Sequence, residues 1–135
     1  MIASENLVSD KNSYAEFDRL MQANLLRVFS ERDAAKRLDA IKELYAEDAT
    51  LFEPDAVVSG HIGISRAVDA LLAMLPPDFV FRSLGPALGH HGLARLIWGV
   101  GPLDGAIGMT GTDVAQFQDG RIVSLHVLLD ALPTL

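Results

Sequence analysis

The clearest pattern in the sequence is an alternation of apolar and polar positions over residues 107–117. Odd positions there are apolar or glycine, whereas Thr110, Thr112 and Gln116 are polar, which is the period of a half-buried β-strand. Asp113 breaks the pattern, because it places a carboxylate on the apolar face. A buried, unpaired carboxylate is costly, so Asp113 should have a partner, be protonated or face a pocket. A different register, or a structural hydrogen bond to a loop, would also explain it.

The first half of the chain has the three- and four-residue spacing of amphipathic helices. Ser13 and Glu16 fit a capping box, so a first helix is predicted from there to about residue 30. A second helix is predicted over 33–45, and a third over 64–75, ended by two prolines. The side chains expected on the buried faces are Phe17, Leu20, Met21, Leu25, Val28 and Phe29, then Leu38, Ile41 and Leu44 or Tyr45, then Ile64, Val68, Leu71 and Leu75.

Short strands with glycine-containing turns follow the helices. One early strand is predicted over 49–53, ended by Pro54, with a loop over 55–60. The later strands are predicted over 79–88, 93–100, 106–117 and 122–129. The dipeptide Asp119-Gly120 is the strongest hairpin signal between them.

Three helices followed by an antiparallel meander predict an α+β domain. The helices are expected to pack on one face of a curved, mostly antiparallel sheet. A poorly ordered lead-in is predicted over 1–12, and one domain over 13–135.

Composition narrows the range of partners. The net charge of -7, without a cluster of Lys or Arg, argues against nucleic acid and anionic membranes as partners. The sequence has no cysteine, which excludes disulfides and thiol chemistry. No run approaches the ~20 apolar residues of a membrane span. The first twelve residues contain Glu5 and Asp10 but no apolar signal core. A cytoplasmic protein that binds small molecules or other proteins is expected.

Most kinds of catalytic chemistry lack their motifs here. The histidines have no metal-ligand spacing, so no metal is expected; they are His61, His90, His91 and His126. The glycines near residue 100 do not form a nucleotide-binding loop, and no serine nucleophile elbow is present. By elimination, any chemistry is acid/base catalysis by carboxylates without a cofactor.

Trp98, the only tryptophan, lies in the middle of a predicted strand. It is expected either in the core or as an aromatic wall for a ligand. The alternation places Ala94, Leu96 and Trp98 on one face and Arg95 on the other, although a register shift by one residue would turn Arg95 into the pocket. His126 in the last strand is expected on the outer face of the sheet.

Several short motifs resemble the nuclear transport factor 2 superfamily. They are LYAEDATLFEP at 44–54, Gly60 before the third helix, GTDV at 111–114 and DGRI at 119–122. Within the superfamily, the sequence is most similar to the SnoaL-like polyketide cyclases and the ketosteroid isomerases, over residues 14–130. The resemblance implies a cone-shaped fold with an internal pocket. It also implies a homodimer through the outer sheet face, with Thr110, Thr112, Gln116, Ser124 and His126.

The ketosteroid isomerase resemblance implies roles for two acids. Glu53 precedes a proline, as the proton-abstracting aspartate of those enzymes does, and Asp113 matches their protonated aspartate, which hydrogen-bonds the developing enolate. The family's oxyanion tyrosine has no counterpart on the first helix, where Leu25 or Phe29 lies nearest. Asn24 could supply an amide donor, or it could be a buried amide paired with the backbone.

The leading hypothesis is an enzyme with an apolar pocket in which Glu53 takes a proton and Asp113 delivers one or polarises a carbonyl. The reaction would be an isomerisation, cyclisation or dehydration of a small, largely apolar molecule. The predicted substrate-binding residues are Asn24, Phe29, Trp98 and Leu125. The alternative is a non-catalytic ligand-binding or dimerisation domain. A third hypothesis, an epoxide hydrolase-like site, has Asp113 and Arg95 but no evident second aspartate.

Overall fold

The order of helices and strands confirms the predicted α+β class. The computed structural model describes residues 14–130, so the predicted lead-in and Ser13 lie outside the described residues. Helix α1 covers 14–24 and continues as a π-helical turn, Leu25–Phe29. Helices α2 and α3 are Ala34–Leu44 and His61–Ala73. None of the helices in residues 14–130 is long and apolar enough to cross a membrane.

Within residues 14–130, seven strands form one curved, mixed sheet that does not close. They are β1 (Tyr45–Glu53), β2 (Ala56–Ser59), β3 (Phe79–Ser83), β4 (Leu88–His90), β5 (Leu93–Pro102), β6 (Met109–Gln118) and β7 (Arg121–Leu129). The order across the sheet is β2-β1-β7-β6-β5-β3, with β4 also paired to β5. Only the β1 to β7 pairing is parallel. The predicted meander of the last strands is therefore confirmed.

The strand prediction was wrong in two places. The segment predicted as a loop over 55–60 contains β2, which forms a hairpin with β1 around Pro54 and Asp55. The adjacent β-branched residues Val57 and Val58 were the overlooked strand signal. The single strand predicted over 79–88 is two strands, β3 and β4, with a break that contains Gly85 and a proline.

Helix α2 buries a charged residue that the periodicity did not indicate. Arg37 is 0% exposed, whereas Leu38 is only half-buried. The Arg37 guanidinium donates to the backbone oxygen of Glu31 at 2.7 Å, to Ser65 Oγ at 3.2 Å and to the Asp69 carboxylate. These partners compensate the burial of the charge and join α2 to α3.

The alternation along β6 and β5 is confirmed. Asp113 lies on the inner face with Gly111 and Ala115, and all three are buried. On β5, Leu96 and Trp98 are buried and Arg95 is exposed. The Asp119-Gly120 turn is also confirmed, with φ of 53° and 77° at its two residues.

Regular alternation of buried and exposed residues fails at the start of β7. Ile122 is paired with Phe117 and Ser124 with Gln116, so a β-bulge interrupts the register. Ile122 and Leu125 are therefore both in the core. In a regular strand, two residues three positions apart would face opposite sides of the sheet.

Candidate functional site

A cavity of about 670 Å³ lies between the helices and the inner face of the sheet. Its walls come from the end of α1, from α3 and from six of the strands, all but β4. The lining residues are Leu25, Phe29, Glu53, Pro54, Asp55, Ala56, Val58, Ala67, Ala70, Leu71, Met74, Leu75, Phe81, Trp98, Val100, Met109, Asp113, Val127 and Leu129. Most of them are apolar, and none carries a positive charge.

Asp113 is the buried acid of this cavity. It is 2% exposed, and its Oδ1 accepts a hydrogen bond of 2.9 Å from the indole nitrogen of Trp98. Burial raises the pKa of Asp113 from 3.8 to about 7, against the opposing effect of the Trp98 hydrogen bond. Desolvation disfavours the charged carboxylate, because the surrounding side chains offer little to replace its hydration.

Glu53 is the second acid, at the end of β1. It has the same parity as Ala49 and Leu51, which are buried on the inner face, but Glu53 itself is half-buried. Within the described chain, its carboxylate has no hydrogen-bond or ion-pair partner. Partial burial, and then the negative charge of Asp55, raise the pKa of Glu53 above its ordinary 4.5. Because Glu53 is only half-buried, its carboxylate remains within reach of water.

Three aromatic rings form one wall of the cavity. The rings of Phe81 and Trp98 meet edge to face with centroids 5.2 Å apart, and those of Phe29 and Phe81 with centroids 5.9 Å apart. Trp98 thus belongs both to the buried core and to the wall, the two positions that the sequence left open. The π-helical turn contributes here, because Leu25 and Phe29, at its two ends, both line the cavity.

Asn24 and Leu125 lie behind the cavity wall. Both are buried, and neither is among the lining residues. Asn24 Oδ1 accepts a 2.6 Å hydrogen bond from the Tyr45 hydroxyl, and its amide nitrogen has no partner among residues 14–130. Burial and the nearby Asp113 charge raise the pKa of Tyr45. Asn24 and Tyr45 therefore form a polar pair within electrostatic reach of Asp113.

The structure separates the other polar candidates from the cavity. Arg95 is exposed and borders a separate groove on the outer face, so the register in which it enters the cavity does not occur. His126 lies on the outer face, stacked on the Phe52 ring at a centroid distance of 4.3 Å. An epoxide hydrolase-like relay therefore has no arginine at this site. In residues 14–130, no group of three or more metal-ligating side chains is assembled.

Sequence reasoning missed part of the cavity wall. Phe81, Met109 and Leu129 line it, although none was singled out. Met109 and Leu129 share the strand face of Asp113, so parity could have found them. Tyr45 was expected only as a core residue, and its hydrogen bond depends on how α1 packs against β1.

Sequence comparison identifies the family. The sequence model of the SnoaL-like domain family matches residues 24–125 of this chain. The chain belongs to the SnoaL-like family. No protein of curated function matches the sequence significantly.

Solved structures confirm the fold of this SnoaL-like chain. A proposed isomerase of the SnoaL-like family from Agrobacterium tumefaciens superposes with a TM-score of 0.79 at 25% identity, over 87% of this chain and 99% of the other. A proposed polyketide cyclase from Sinorhizobium meliloti superposes with a TM-score of 0.62 at 22% identity, over 81% of this chain and 93% of the other. A proposed ketosteroid isomerase from Kribbella flavida superposes with a TM-score of 0.67 at 14% identity, over 90% of this chain and 83% of the other. These likenesses agree with the curved-sheet α+β fold that the resemblance to the nuclear transport factor 2 superfamily implied.

Proposed function

We propose that this SnoaL-like protein is a cofactor-independent enzyme that moves a proton on a small, neutral, largely apolar carbonyl compound. Glu53 is the base and Asp113 is the hydrogen-bond donor to the carbonyl oxygen. The observation that carries the proposal is the difference in burial between two of the three carboxyl groups that line one apolar cavity: Glu53 is half-buried, whereas Asp113 is buried. Environments that separate the pKa values of two acids suit them to opposite roles.

The proposed step balances within the cavity. The Glu53 carboxylate takes a proton from the carbon next to the carbonyl. The electron pair of the C–H bond becomes the C=C bond of an enolate, and the π pair of the C=O bond moves onto the oxygen. Protonated Asp113 stabilises the charge that develops on the carbonyl oxygen. If Glu53 returns the proton to another carbon, the result is an isomerisation. If Glu53 first exchanges the proton with solvent and then protonates the same carbon, the result is a hydrogen exchange. In a cyclisation, the enolate carbon would attack an electrophilic carbon of the substrate instead of being protonated.

The charges of the cavity define the substrate class. Among the described residues, the ionisable side chains that line the cavity are Glu53, Asp55 and Asp113, and no cationic side chain lines it to pair with an anionic substrate. A substrate with a carboxylate or phosphate would meet unfavourable charge and pay for its desolvation. A neutral ketone would fill the apolar walls and present one oxygen to Asp113.

Proton exchange in D₂O tests this proposal. With 2-tetralone, a neutral cyclic ketone, we expect the protein to accelerate deuterium incorporation next to the carbonyl above the buffer rate, as followed by ¹H NMR. The rate should rise as Glu53 loses its proton and fall as pH increases through about 7, where Asp113 ionises. Binding without accelerated exchange at any pH from 5 to 9 would contradict the enzyme assignment.

The second candidate is a non-catalytic ligand-binding domain. The predominantly apolar lining favours it, because such a cavity can bind a ligand without any chemistry. Trp98 is the only tryptophan and lies in the wall, so its fluorescence reports occupancy independently of turnover. Quenching by 2-tetralone together with an unchanged exchange rate would select this function.

We also propose a homodimer through the outer sheet face that carries Thr110, Thr112, Gln116, Ser124 and His126. Ile97 on β5 adds an exposed apolar side chain to this face. Light scattering is expected to give twice the mass of one chain. The Ile97→Lys variant is expected to have the mass of a single chain, because the lysine would be buried in the interface without a partner for its charge. The control is Leu103→Lys, at an exposed position beyond the end of β5. Wild-type protein with the mass of a single chain at micromolar concentration would exclude the dimer.

A further inference from the structure

Gly111 and Trp98 are directly opposite each other on neighbouring strands, and the indole occupies the space above the glycine. A Cβ atom at Gly111 would lie 2.3 Å from Trp98 Cζ2 and 2.6 Å from Cη2. No side chain larger than hydrogen fits there while the ring keeps its place. The absence of a side chain at Gly111 thus allows the indole to lie against the backbone of β6.

The same position brings the indole to Asp113. Residues two apart on a strand share a face, so Asp113 is the next inner residue after Gly111 on β6. The ring also packs edge to face against Phe81, and Trp98 is 2% exposed, so the indole is enclosed on both sides. Its nitrogen donates to Asp113 Oδ1 at 2.9 Å.

The two oxygens of Asp113 therefore differ. An indole N–H can only donate, so Oδ1 must accept and cannot carry the carboxyl proton in that hydrogen bond. Oδ2 has no hydrogen-bond partner among residues 14–130. It nevertheless keeps some access to solvent, because the fully buried side-chain atoms without a partner in this range are Asn24 Nδ2 and Arg82 Nε. Since Asp113 lines the cavity, Oδ2 is the atom that opens onto it.

We propose that Trp98, held in place by Gly111, is a positioning residue that keeps Oδ1 of Asp113 as an acceptor and directs the carboxyl proton of Oδ2 into the cavity. Without the indole N–H, a neutral Asp113 could carry its proton on either oxygen, and only one arrangement would present a donor to the ligand. The proposal concerns the state of Asp113 in the free protein. Only its kinetic consequence rests on the proposed function.

Other ionisable groups around Asp113 have to be kept constant in any test. They are Tyr45, Glu53 and Asp55, all on β1 or the turn after it. The residues that α1, α3, β5 and β7 contribute to the cavity wall are not ionisable. A variant at Trp98 therefore changes one hydrogen bond to Asp113 without removing a charge.

Carboxyl titration by ¹³C NMR on the ligand-free Trp98→Phe variant tests the proposal. Phenylalanine keeps an aromatic wall but removes the indole N–H. In the wild type, the hydrogen bond from that N–H favours the ionised form of Asp113. The pKa of Asp113 is expected to rise by roughly one pH unit, since a hydrogen bond to a charged group is worth more than one to a neutral group. Phe81→Leu is the control, because it changes the packing of the same wall without removing a donor.

Gly111→Ala tests the role of the glycine. The added methyl should displace the indole, so the Asp113 pKa is expected to move in the same direction as in Trp98→Phe while the indole N–H is still present. The proposal is overturned if Trp98→Phe leaves the titration of Asp113 unchanged, or if Phe81→Leu moves it equally.

The kinetic consequence is a matching shift of the pH profile. In Trp98→Phe, the fall of 2-tetralone exchange at high pH should move upward with the Asp113 pKa, while the rate below that fall decreases by about tenfold as the proton loses its fixed direction. If exchange is absent even in the wild type but Trp98→Phe still shifts the titration, the proposed function fails and the positioning role stands.

Discussion

Glu53→Gln is expected to lower 2-tetralone exchange by about 10²- to 10⁴-fold, the range over which a positioned general base contributes. Glutamine keeps the size of the side chain, but its amide cannot take a proton at neutral pH. No other carboxylate can replace Glu53 easily, because Asp113 is largely protonated below about pH 7 and Asp55 is exposed in the β1–β2 turn. Deuterium incorporation measured by NMR gives the loss directly.

Glu47→Gln is the matched control for this experiment. Glu47 lies on the same strand, β1, but is exposed and does not line the cavity. Its variant should exchange 2-tetralone at the wild-type rate. A Glu53→Gln protein that kept half of the wild-type rate, with an unaltered fold by circular dichroism, would place the base elsewhere.

Asp113→Asn is expected to make the protein more stable than the wild type at alkaline pH. The folded protein raises the pKa of Asp113 from 3.8 to about 7, so it favours the protonated form. The stability from this group is therefore complete below about pH 4 and is lost as pH rises through 7. The difference between the two pKa values corresponds to on the order of 4 kcal/mol in the free energy of unfolding. Asparagine is neutral at every pH and avoids that loss.

Urea unfolding at pH 4 and pH 8.5 measures this effect. The two proteins should differ little at pH 4, and the variant should gain at pH 8.5. Asp119→Asn is the control, because Asp119 is exposed in a turn with φ of 53°, a conformation that asparagine tolerates. A difference between Asp113→Asn and the wild type that is independent of pH would show that Asp113 does not bind a proton on folding.

Sequence pattern located Asp113 because the period of a β-strand is local. Residues two apart share a face, so the apolar neighbours of Asp113 were sufficient to place it on the inner side. The same reasoning placed Trp98 and Arg95 on opposite faces correctly. Glu53 was found differently: its proline neighbour and the preceding LYAEDAT run gave a resemblance, since a half-buried carboxylate at a strand end breaks no pattern.

The contacts between elements were beyond prediction. The Trp98 to Asp113 hydrogen bond depends on the register of β5 against β6, which a single sequence does not specify. Arg37 was missed because periodicity counts apolar residues, whereas its burial is compensated by partners on the preceding loop and on α3. The bulge next to Phe117 was missed for a similar reason, because it is visible only in the pairing of β6 with β7 and not in the sequence of either strand.

The parallel pairing of β1 with β7 has a consequence for the order of folding. Leu51 pairs with Leu125, so the strand that carries Glu53 joins the sheet through the last strand of the described chain. Contacts between residues so distant in sequence form slowly, because the intervening loop must first close. During synthesis, the β1–β2 hairpin can pair with the rest of the sheet only after β7 has left the ribosome. We expect the two acids to meet in one cavity only in the final stage of folding.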